Sequence, residues 1–94
     1  MKKCLRISFA AEGLPAGFLE EFIKKHALKF TIEGVAQVIP DEGRVRVIAC
    51  GEKEDVDAFL DMLHKGAHPT YLEDIEVEPF IKDKDYRGVF RVIA

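Results

Sequence analysis

The 94-residue sequence has no tryptophan, only two cysteines and no apolar run of any length. The missing run excludes a membrane span, which needs about 20 consecutive apolar residues. Two cysteines, Cys4 and Cys50, are too few for a disulfide framework. The opening Met-Lys-Lys-Cys-Leu-Arg carries two lysines, but Arg6 and Ser8 interrupt any apolar stretch, so no secretory signal is read there. Reduced thiols and a cytoplasmic location are the expectation. A basic excess is also lacking. The net charge of −3 argues against nucleic acid as partner, without forbidding a local basic face. No Ser-His-Asp set, Walker loop or dinucleotide fingerprint occurs, and "EGLPAGF" has two glycines but not G-x-G-x-x-G. No cofactor is implied. Linkers, low-complexity segments and solenoid repeats are absent too, which leaves residues 1–94 as one domain with room for one core.

What is present is periodicity. From Cys4 to Ala10, Leu5, Ile7 and Phe9 alternate with Cys4, Arg6 and Ser8, the pattern of a half-buried strand. Residues 15–28 place Phe18, Leu19, Phe22, Ile23 and Ala27 at helical spacing, with Glu20/Lys24 and Glu21/Lys25 on the solvent side and Pro15 in the first turn. Phe30 to Ile39 reads as a strand. The turn "PDEG" follows, with Gly43 able to take positive φ, and a strand from Arg44 to Cys50 completes a hairpin. Val45, Val47 and Ala49 share one face of that strand; Arg44, Arg46, Ile48 and Cys50 share the other. Gly51 is expected to open a second helix, with Glu52, Glu54 and Asp55 at its start and Val56, Phe59, Leu60 and Leu63 as its apolar stripe; Gly66 and Pro69 stop it. Ile75 and Val77 mark a fourth strand, and Gly88 to Ile93 a fifth.

This order predicts an α/β fold of the α+β sandwich kind: a ferredoxin-like β-α-β-β-α-β unit plus a fifth strand. Its mainly antiparallel sheet carries two helices on one face. The first and third strands are then antiparallel neighbours. Cys4 and Cys50 both point to the uncovered face, either near each other across the strands or as two semi-buried residues that never meet. Arg6, Arg44, Arg46 and Arg91 belong to the same uncovered face, with Glu33, Glu76 and Glu78. That face lacks the aromatic side chains on which an RNA module stacks bases.

The run from Gly34 through "PDEG", Val45/Val47, Gly51, "AFLDML", Gly66, "LEDIEVE" and "FRV" resembles the acylphosphatase family in order and spacing over about residues 5–93, with one residue, Glu42 or a neighbour, inserted in the hairpin turn. The resemblance implies an anion-binding first loop, roughly G-x-V-Q-G-V-x-F-R, whose amides and Arg hold an acyl phosphate. It also implies an Asn at the end of the second strand that positions water. Here Phe18 matches the Phe, Leu19 falls at the Arg, Pro15 at the second Gly, Leu14 at the Gln and Val38 at the Asn. Leu19 brings no charge, Pro15 removes an amide, Glu12 adds a negative charge near the mouth and Val38 cannot orient water. No catalytic residue is intact on this reading. The candidate ligand loop is Gly13, Leu14, Pro15, Ala16, Gly17 and Phe18, and Leu14, Phe18, Leu19 and Val38 would line an apolar pocket.

His64 and His68 are four apart, a metal-ligand spacing, but Gly66 lies between them, so capping or exposure is the default and no metal is expected; His26 reads as a helix-border residue. The first expectation is therefore a catalytically degenerate member that serves as a small-ligand or protein-interaction module, taking a small anion or an apolar molecule at the first loop. The alternative is a weak or altered acylphosphatase that uses loop amides alone. A third reading puts a metabolite or nucleic acid on the uncovered sheet face.

Overall fold

A computed structural model describes residues 2–65, 72–81 and 86–93. Strand β1 (Lys2–Ala10) leads through a loop to helix α1, which is π-helical over Leu19–Lys24 and α-helical over Lys25–Lys29. Strand β2 (Glu33–Ile39), a single 3₁₀ turn at Pro40–Glu42 and strand β3 (Arg44–Glu52) form the hairpin; helix α2 (Lys53–Lys65), β4 (Glu76–Pro79) and β5 (Phe90–Ile93) follow. The five strands make one sheet in the order β4-β1-β3-β2-β5. All neighbours are antiparallel except β2 and β5, which run parallel. This is the ferredoxin-like plan expected from the order of elements.

The core lies between the sheet and the helices. Ile7, Phe9, Val45, Val47 and Ala36 are fully buried from the sheet, against Ile23 and Ala27 of α1 and Val56, Phe59 and Leu63 of α2. Phe9, Phe18 and Phe22 continue into the helix, edge-on at 6.5 Å between Phe9 and Phe18 and stacked at 5.1 Å between Phe18 and Phe22. His26 extends this row: its ring lies 4.4 Å from Phe22, and Nδ1 is 2.8 Å from the Phe22 carbonyl. It is half-buried on the helix rather than part of a site.

The hairpin turn forms as read, with Gly43 left-handed at φ 63° and its amide donating to the Pro40 carbonyl at 3.2 Å. Gly34 is required by close packing: a Cβ there would lie 1.8 Å from the Ile48 carbonyl oxygen of the next strand.

Several boundaries differ from expectation. Helix α1 begins at Leu19, not in the Pro15 turn, because residues 15–18 close a separate turn through a Phe18 amide bond to the Pro15 carbonyl. Strand β2 begins at Glu33, since Thr31 takes φ 58° and breaks the extended run from Phe30. Strand β3 continues through Gly51 to Glu52, held there by pairing with Lys3 and Lys2, so α2 opens at Lys53 with Glu54 and Asp55 as its first-turn acids. The expected stop at Gly66 and Pro69, and His68, lie outside the described residues.

The thiol expectation is overturned. Cys4 and Cys50 are direct cross-strand partners with Cα atoms 4.1 Å apart, and they are joined as a disulfide. Alternation sent both side chains to the uncovered face, and the β1–β3 register set them opposite each other.

Candidate functional site

The first loop leaves β1 at Ala10 and is pinned at its base. The Ala11 amide donates to the Gly43 carbonyl at 2.9 Å, tying the loop to the hairpin turn, and the Ala10 amide donates to Glu73. Gly13 and Gly17 take φ of 84° and 76°, which lets the chain reverse twice within a few residues. Two loop amides are spent inside the loop: Leu14 donates to Ala11 at 3.3 Å and Phe18 to Pro15 at 3.2 Å. Pro15 has none to give. The Glu21 amide bonds the Gly17 carbonyl at 2.8 Å, and the Glu21 carboxyl lies 3.4–3.7 Å from where a Cβ on Gly17 would sit. A carboxylate therefore covers the side of the loop where the helix begins.

Beneath the loop is a cavity of about 420 Å³. Leu14, Pro15, Gly17 and Phe18 of the candidate loop line it, with Leu19 and Val38, while Gly13 and Ala16 lie outside its wall. Ala11, Val45 and Val92 add to the apolar lining, and Glu20 is the one charged residue among the described lining residues. Phe18 is buried, whereas Val38 on the helix-facing side of β2 is 39% exposed. A branched side chain on the core side of a sheet is normally covered; here it opens into the cavity.

Glu20 lies where its spacing to Lys24 put it, on the solvent side: its side chain is 59% exposed and pairs with Lys24 at 3.9 Å. What the spacing did not show is that it also borders the cavity, at the rim. Glu12, expected at the mouth, is exposed and not part of the wall. Lys24 is engaged with Glu20, and no lysine or arginine is among the described lining residues.

The strand arginines Arg6, Arg44, Arg46 and Arg91 lie on the opposite face of the sheet. Arg6 pairs with Glu78, and Arg44 donates to the Ser8 hydroxyl at 3.2 Å and pairs with Asp74 at 3.5 Å. No group of three or more potential metal ligands occurs among the described residues; His64 is exposed at the end of α2.

A sequence model of the acylphosphatase family matches residues 16–92. The chain belongs to the acylphosphatase family. An acylphosphatase of Vibrio parahaemolyticus is 32% identical over 92 residues, covering 97% of this chain and 97% of that protein. One of Thermus thermophilus is 40% identical over 57 residues, covering 61% of this chain and 64% of that protein. The crystal structure of the Bacillus subtilis acylphosphatase superposes with a TM-score of 0.80 at 22% identity, covering all of both chains. Within an acylphosphatase fold, then, the first loop and the end of β2 meet at a cavity whose wall is apolar except for one acid.

Proposed function

We propose that this acylphosphatase-family domain is catalytically silent and uses its loop cavity to bind an apolar small-molecule group, neutral or cationic. The observation that carries this reading is the lining among the described residues: nine uncharged residues and Glu20, with no cation. The volume of about 420 Å³ falls within the range of small-molecule sites, roughly 300–1,000 Å³. A phosphoryl group placed there would meet Leu19 and Val38 where donors are needed, with the exposed Glu20 carboxylate at the rim. In other enzymes the loss of one such donor costs about 10²–10³ in rate.

Two fluorescent probes with one ring system test the binding. N-phenyl-1-naphthylamine is neutral; its 8-sulfonate is an anion. The neutral probe is expected to bind more tightly, because the described wall offers the sulfonate no cation. Glu20→Gln should narrow the gap only slightly, because that carboxyl is exposed and paired with Lys24. Absence of binding by either probe would overturn the reading.

Catalysis is tested with benzoyl phosphate. No turnover is expected from the natural chain, and Leu19→Arg with Val38→Asn should gain it. A second reading, a slow acylphosphatase acting through loop amides, is favoured by the relatives, which are themselves named acylphosphatases. Hydrolysis by the unaltered chain, together with shifts of the residue 12–19 amides on adding inorganic phosphate, would establish it instead.

A further inference from the structure

The Cys4–Cys50 bond lies at the floor of a second cleft, of about 310 Å³, at the far end of the sheet from the loop cavity. Lys2, Lys3 and Glu33 also line it. The two sulfurs are not equivalent. Cys50 is 2% exposed, in the middle of the sheet between β1 and β2, whereas Cys4 is half-buried. The charges differ as well. Glu33 is the β2 residue directly opposite Cys50. Lys2 precedes Cys4 by two residues, on the same face of β1, and its side chain is 77% exposed while pairing with Glu52 at 3.7 Å. Lys3 reaches away to Asp57, at 2.7 Å.

We propose that this bond is a thiol-exchange site, reached through the cleft by small anionic thiols that attack the sulfur of Cys4. The incoming thiolate donates its electron pair to Cys4 Sγ and forms a mixed disulfide. The Cys4–Cys50 bond breaks with its pair on Cys50 Sγ, which takes a proton from water. A second thiolate then attacks the outer sulfur of the mixed disulfide and expels Cys4 as a thiolate beside Lys2. Two small thiols are oxidised to their disulfide, and the protein disulfide is reduced to two thiols.

Two effects compete over which sulfur is attacked. A positive charge on the same face steadies a departing thiolate, and Lys2 lies two residues from Cys4, which favours departure of Cys4 and hence attack on Cys50. Access favours attack on Cys4, because the nucleophile must approach along the line of the bond and Cys50 is buried. Access decides: Cys4 is half-buried, whereas Cys50 is 2% exposed, so attack on Cys4 is the less hindered of the two. The first exchange is therefore directed to Cys4.

The test uses the full chain under native conditions with reduced glutathione, quenched in acid, alkylated and mapped by peptide mass. Glutathione is expected on Cys4 and the alkyl label on Cys50; glutathione on Cys50 would overturn the assignment. The initial rate should rise with glutathione concentration, whereas a rate that plateaus at the global unfolding rate would show that the cleft admits no thiol. Cys50→Ala should take one glutathione from oxidised glutathione, and Cys4→Ala none until denaturant is added. If either variant fails to fold, the site of attack in the natural chain still decides. Lys2→Glu should slow the reaction with glutathione roughly threefold and leave that with neutral 2-mercaptoethanol unchanged; equal effects on both would refute the charge steering.

Discussion

Breaking the Cys4–Cys50 bond should cost this domain a large part of its stability. The bond joins residues separated by 46 positions, across the two strands β1 and β3 near the middle of the sheet. In the chain-entropy account, closing a loop of that length removes about 4 kcal/mol of freedom from the unfolded chain at room temperature. That is a quarter or more of the whole stability of a typical small domain, about 5–15 kcal/mol. At about 2 cal/mol/K of unfolding entropy per residue, each kcal/mol moves the midpoint by about 5 °C in a chain of this size. Loss of the cross-link should therefore lower the melting temperature by about 15–20 °C. The comparison is thermal unfolding followed by far-ultraviolet circular dichroism, with the bond intact and after complete reduction by a dithiol, and with Cys4→Ala plus Cys50→Ala. Alanine avoids burying a hydroxyl at Cys50. The denaturant slope should also steepen on reduction, because an unlinked unfolded chain exposes more surface. A shift of less than about 5 °C with the bond fully reduced would refute the reasoning: it would mean that the unfolded chain already holds β1 and β3 together.

Other outcomes follow from single contacts. Gly34→Ala places a methyl 1.8 Å from the Ile48 carbonyl oxygen, so β2 and β3 must separate in the middle of the sheet. A loss above about 3 kcal/mol by urea unfolding is expected, and one below about 1 kcal/mol would show that the strands move apart freely. The Asp57 carboxyl is held below its ordinary value of 3.8 by hydrogen bonds from Lys3 and then Lys53. A lowered folded value means its contribution is present above the ordinary value and is lost as pH falls through the folded one. Asp57→Asn should therefore flatten the fall of melting temperature below about pH 4, with a smaller difference at high salt because the groups are exposed; identical acid profiles would refute the tie.

The fold was readable because its signals are local. Alternation in β1 and β3, the stripe of α2 and the left-handed Gly43 each follow from neighbouring residues, and together they fix the layers. The apolar lining was partly readable too: Leu14, Phe18, Leu19 and Val38 do share one cavity. Ala11, Val45, Val92 and Glu20 were not foreseen there. Val92 reaches the cavity only because β5 adds beside β2, a long-range pairing without a local signal. Glu20 stays on the solvent side, 59% exposed, and meets the cavity only at its rim, a contact set by the loop rather than by the helix spacing. The cysteines show the same limit. Alternation gives the face of each, but only the strand register says that they meet.

That dependence on β5 has a consequence for how the cavity behaves. Its walls are contributed by the first loop, by both arms of the hairpin and by an edge strand, so no fragment of the chain can possess it. Whatever occupies it acts as a clasp between the margin of the sheet and the loop, and its presence should be recorded first as slower hydrogen exchange along Phe90–Ile93.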